Sequence, residues 1–221
     1  MRIILTTFLI LMSAFVVDVS AQVTKLYPVD EAAKEPTFFT FRARLIQAVQ
    51  RRDAAYLLSI LSPKIENSFG GGGGIEEFKT MWKPERAQSE VWIELATALS
   101  LGGAFGKDGA FSAPYVFAKW PEDSSIDVFG SGAIIGENVR VRAAPQITSS
   151  VMRTLSFDIV EVPDWQRNKA RGEKRDWIKV KLADGQSGYV AEEFIRSGID
   201  YRAVFEKTDG RWLMTAFIAG D

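Results

Sequence analysis

From Thr37 onward apolar residues recur every three to four positions, so that Phe38, Phe41, Leu45, Ala48 and Val49 share one helical face. Pro36 marks the boundary ahead of them, and Thr37 is the expected cap. Asp53 reads as the cap of a second helix carrying Tyr56, Leu57, Ile60 and Leu61, stopped by Ser62-Pro63. Five glycines, Gly70 to Gly74, can only be a loop. The spacing of Phe78, Met81 and Trp82 predicts a short helix over 75–82. Another helix, starting near Glu85 or Ser89 and running to Ser100, puts Val91, Trp92, Leu95 and Leu99 together and ends at Gly102-Gly103.

After Gly109 the period changes from helical to alternating. Val139–Arg142, Phe157–Val162, Trp177–Leu182 and Ser187–Ala191 read as short strands. Asp184-Gly185 and Asp209-Gly210 each join two such runs and are hairpin signals, the second between Tyr201–Lys207 and Arg211–Phe217. Short strands with tight turns point to a small barrel. The expected class is α+β: a helical region over 22–111, a small all-β barrel with its lead-in over 112–197, and a C-terminal hairpin over 198–221. The hairpin either extends the barrel or packs back on the helical region.

The first residues add a destination. Met1-Arg2, an apolar run from Ile3 to Val17, and Val19-Ser20-Ala21 have the form of a secretory signal peptide over 1–21, cut after Ala21. The apolar run is shorter than the ~20 residues a spanning helix needs, so cleavage rather than stable membrane insertion is expected, with a periplasmic or secreted product. The net charge of −1 gives no basic excess for nucleic acid or an anionic membrane. The sequence has neither cysteine nor histidine. Thiol nucleophiles, disulfides and Cys-ligated zinc are therefore closed, as are the commonest general base and the commonest metal ligand.

Four groups of residues remain as candidate chemistry. Gly70–Gly74 is not a phosphate cradle, because Ile75-Glu76-Glu77 follows it where Gly-Lys-Ser/Thr is needed, and two acids there repel phosphate. Glu66, Glu76 and Glu77 are the candidate acids of a glycan hydrolase, which needs two carboxylates across a cleft. Arg167, Lys169, Arg171, Lys174 and Arg175 form a basic loop between Trp165 and Trp177. Its arginines suit carboxylates, and Trp165, set among Pro163, Asp164, Gln166 and Arg167, is the candidate platform. Phe38, Phe41, Trp82 and Trp92 sit at helical core spacing, and Trp212, on a strand of the last hairpin, is a further core candidate. No Asp-x-Asp-x-Asp-Gly loop is present, so no metal and no cofactor is expected.

Asn138-Val139-Arg140-Val141-Arg142-Ala143-Ala144-Pro145 resembles the opening strand and loop of bacterial Src-homology-3-like (SH3-like) domains. Trp177-Ile178-Lys179-Val180, Asp184-Gly185 and Gly188-Tyr189-Val190 resemble the ending of the same family. The resemblance covers about residues 135–197, with an enlarged connection from Asp164 to Asp176. Ala113-Pro114-Tyr115-Val116-Phe117 and Gly210-Arg211-Trp212 are similar to the flanks of exported bacterial proteins that carry such a domain. The resemblance implies a non-catalytic binding module of the cell envelope, whose partner is a cell-wall peptide or an envelope protein. The residues expected to bind are Trp165, Tyr189, Arg142, Arg167 and Pro145, around a groove beside the loop after Pro145. Two alternatives stand beside it: the glycan hydrolase, and a structural or inhibitory partner of another exported protein.

Overall fold

The computed structural model describes residues 24–122, 126–163, 165 and 177–220. The predicted leader and the whole basic loop from Arg167 to Arg175 lie outside the described residues.

The first half is built from α1 (Pro36–Arg51), α2 (Ala54–Ser59), β1 (Leu61–Glu66), α3 (Ile75–Trp82), α4 (Val91–Ser100), β2 (Ala104–Phe105), β3 (Phe111–Ala113) and α5 (Tyr115–Ala118). Helix α1 starts two residues earlier than the expected cap at Thr37 places it. Glu35, not Thr37, is its cap: the Glu35 carboxylate accepts from the Thr37 N–H at 3.0 Å, and Pro36 occupies the first turn, where no N–H is missed. Asp53 caps α2 as expected, accepting from the Tyr56 N–H at 2.9 Å. Leu61 to Glu66 is a strand where the pattern gave the end of a helix and a proline stop. Only Leu61 and Ile65 of that segment are buried, a spacing of four that does not distinguish the two periods.

The C-terminal hairpin, β11 (Arg202–Thr208) and β12 (Arg211–Ile218), turns at Asp209-Gly210, both with positive φ. It lies in the middle of a five-stranded sheet of order β1-β12-β11-β3-β2, with β1 parallel to β12 and the other pairs antiparallel. The hairpin thus belongs with the helices rather than with the strands that precede it. Phe205, Trp212, Met214 and Phe217 from the hairpin share one core with Phe38, Leu45, Phe78, Trp92 and Leu95 from the helices. Phe38 is at its centre, fully buried, with ring centroids 4.3 Å from Phe111 and 4.9 Å from Trp212. The Trp212 indole N–H is satisfied by the Thr37 hydroxyl at 2.9 Å.

The second sheet uses β4 (Ser131–Ile134), β5 (Val139–Arg142), β6 (Val151–Leu155), β7 (Ile159–Glu161), β8 (Trp177–Lys181), β9 (Ser187–Ala191) and β10 (Ile195–Ser197). Its order is β10-β4-β7-β8-β9-β5-β6, every pair antiparallel. The order is open at β10 and β6, so the closed barrel expected from the strand pattern does not form. The reason lies in the lengths and registers: β10 has three residues and pairs only with β4, while β6 is bulged against β5 between Val141 and Arg142. All seven strands still bend round one aliphatic core of Ile134, Val139, Val141, Leu155, Val160, Ile178, Val180, Val190 and Ile195.

Residues 24–31 strap the two sheets together. Leu26 N–H donates to Phe157 O at 2.7 Å and Ile159 N–H to Thr24 O at 2.9 Å, while Glu31 N–H donates to Gly103 O at 2.9 Å. Leu26, Tyr115, Val116 and Ala133 bury a small cluster at the junction. Among the described residues no helix is long and apolar enough to cross a membrane.

Candidate functional site

The outer face of the second sheet carries the candidate site. Along β5, Val139 and Val141 enter the core and Arg140 is exposed on the other face, while Arg142, beyond the bulge, is buried without joining the core. Arg142 stands directly opposite Tyr189 on β9, and Tyr189 opposite Lys179 on β8. Trp177 stands opposite Ala191 two residues further along the same face. Strands β5 and β9 are joined only at the Arg142–Tyr189 pair and then part. A groove of about 520 Å³ opens where they separate. Arg140 and Arg142 border it from β5, Ala191, Trp177 and Phe194 from β9, β8 and the turn after β9, and Ile147 from the 143–150 loop. Ala191 is the small residue that leaves the floor low. Ile147 is 71% exposed and Phe194 42%, apolar surface that no other part of the described chain covers.

The expected binding residues fare differently. Arg142 and Tyr189 do meet, as cross-strand neighbours at the closed end of the groove. Arg142 is only 6% exposed, however, and its Nη1 donates to the Ser149 carbonyl at 2.7 Å. That bond, with Ala144 N–H donating to Ser149 Oγ at 2.9 Å, holds the 143–150 loop over the sheet. Arg142 thus supports the loop that carries Ile147. Pro145 is exposed on the same loop, but Ile147, not Pro145, borders the groove. Trp165 is half-buried against the aliphatic core, its backbone N–H donating to Val162 O at 3.2 Å, and is not part of the groove lining. The polar neighbours of Trp165 in sequence suggest exposure; its indole has turned inward instead, which removes the cost of an exposed ring.

Sequence reasoning passed over Trp177, Arg140, Ile147, Phe194, Glu137 and Glu193. Trp177 was legible as an outward position, since Ile178 and Val180 alternate with it. Ile147 and Phe194 gave no periodic signal, because the first sits in a turn and the second ends a three-residue 3-10 helix. The charges of the groove are mixed. Arg140, Glu137 and Glu193 are exposed, and none has an ion-pair partner among the described residues.

The acids near the glycine run lie in the other half. Glu76 pairs with Lys79 at 2.7 Å and is 87% exposed. Glu77 accepts from the Asn67 side-chain amide at 2.9 Å, beneath the glycine run. A side chain at Gly72 would collide with that carboxylate, and one at Gly73 would press on the Ile65 carbonyl. The glycines are there to let the backbone close over Glu77. Among the described residues no three of His, Cys, Asp and Glu gather as a metal site.

No protein-family model, curated protein or solved structure matches this chain.

Proposed function

We propose that this is an exported, non-catalytic binding protein of the bacterial cell envelope, and that the groove between the parting ends of β5 and β9 takes a cell-wall peptide. The observation that carries the reading is the groove itself: open, walled by Trp177, Ile147 and Phe194, and furnished with exposed charges of both signs. Parted strand edges suit an extended peptide, because their backbone groups lie at strand spacing. The strand plan supports the SH3-like reading that goes with it. Segments β4 and β5 run antiparallel to β7 and β6 as one bent ribbon, and the β8–β9 hairpin joins β7 to β5. Four chain segments therefore surround one core, although the hydrogen-bonded order stays open.

The test is co-sedimentation of the purified protein with cell-wall sacculi at low and high salt. Salt-sensitive sedimentation is the expected result, since mixed surface charges weaken as they are screened. Absence of sedimentation at either salt removes the cell-wall reading and turns attention to envelope proteins.

A further inference from the structure

Within the groove just proposed as the binding site, and resting on that reading, the charge arrangement defines the ligand more closely. Of the described lining residues, Arg140 alone offers an exposed cation, because Arg142 is buried against Ser149 O. Glu137 and Glu193 offer exposed carboxylates. A purely anionic ligand would gain at Arg140 and lose at the two acids. A purely cationic one would meet the reverse. A ligand that carries both charges gains at both ends. Between the charges the surface is apolar: Ala191 as the floor, with Trp177, Ile147 and Phe194 around it. That surface suits short aliphatic side chains and has little to offer the hydroxyls of a sugar ring.

We infer that the groove recognises a short peptide carrying both a carboxylate and an ammonium group, the carboxylate held by Arg140 and the ammonium by Glu137 and Glu193, with small apolar side chains over Ala191 against Trp177. Arg140 suits the first task because its planar fork can donate two parallel hydrogen bonds to a carboxylate. The second task needs only acceptors of negative charge, which need not be positioned finely.

The probes are acetyl-lysyl-alanyl-alanine, its C-terminal amide, and its Nε-acetylated form, titrated calorimetrically against the purified protein. The parent peptide should bind about tenfold more tightly than the amide, the usual scale for one charge-assisted contact at a partly exposed site. It should also bind several-fold more tightly than the Nε-acetylated form. Arg140→Gln should abolish the first preference and keep the second. Glu137→Gln combined with Glu193→Gln should do the reverse. Both changes are at exposed positions, so folding should survive, as circular dichroism will show. Glucuronate, which carries a carboxylate on a sugar ring, should not compete.

Equal binding of the parent and its amide overturns the inference, as does competition by glucuronate or failure of the parent peptide to bind. If sacculi still sediment with the protein in any of these cases, the groove reading survives and only the ligand assignment falls. If sedimentation is absent too, both fall.

Discussion

The two halves of the molecule place their aromatic residues in opposite ways. In the first half the core is aromatic: Phe38, Phe78, Trp82, Trp92, Phe111, Phe205, Trp212 and Phe217 are buried together, and only a few rings such as Phe39 and Phe69 stay outside it. In the second half the core is aliphatic, and Trp177, Tyr189 and Phe194 lie on the outside of the sheet or in its turns. The difference follows from geometry. Helices packed on a sheet leave a wide interior that large rings fill, whereas strands bent round themselves leave a narrow one suited to Val, Ile and Leu. A ring in the first core therefore stabilises the fold, and an outward ring on the second sheet is free to meet a ligand.

The sharpest way to break this comparison is to remove residues 202–220. The hairpin supplies the two central strands of the first sheet. Its loss should abolish amide protection throughout α1, α3 and α4 while β5, β8 and β9 keep theirs, as hydrogen exchange would show. Simultaneous loss in both halves would mean that they fold as one cooperative unit. Phe38→Ala should cost about 3–5 kcal/mol in chemical denaturation, the scale for emptying a fully buried ring site. A cost below about 1 kcal/mol would show that the surrounding rings close the gap.

Arg142→Ala comes next. It leaves the Ser149 carbonyl without its buried donor and should cost about 1–3 kcal/mol. It should also weaken sacculus binding, because the loop bearing Ile147 is released. Unchanged binding would mean that the loop does not need this strut. The smallest effect concerns the junction. Burial pushes the Tyr115 phenol up to about 12 from its ordinary 10. The folded protein then holds a proton that the unfolded chain gives up, so stability falls as pH rises from about 10 toward 12. Tyr115→Phe should make that fall shallower in denaturation at successive pH values. An identical fall in the variant would place the alkaline sensitivity elsewhere.

Elements were legible in the sequence where the period was strong or the turn chemistry specific. The faces of α1, α3 and α4, the strands β5, β8 and β9, and both Asp-Gly turns follow from local pattern. Strand β1 was not legible, because its register is set by β12 from the far end of the chain. Nor were β2, β4, β6 and α5, which have two to five residues each. At the site, composition could say that Arg142 and Trp165 stand near loops. It could not say that one is buried under a loop carbonyl and the other turned onto the core, since both outcomes depend on tertiary packing. Trp177 is the instructive case. Its alternation with Ile178 and Val180 marks it as outward-facing, and only the parting of β5 from β9 makes that outward position the wall of a groove.

The central claim is that the outward ring at Trp177 binds and the inward ring at Trp165 stabilises. The direct test compares Trp177→Ala with Trp165→Ala, measuring both the thermal midpoint and sedimentation with sacculi. Trp177→Ala should abolish sedimentation with a midpoint near that of the parent protein. Trp165→Ala should lower the midpoint by several degrees, roughly what 1–2 kcal/mol produces in a protein of this size, and sediment as before. The opposite pattern, with Trp165→Ala losing binding at an unchanged midpoint, would contradict the account.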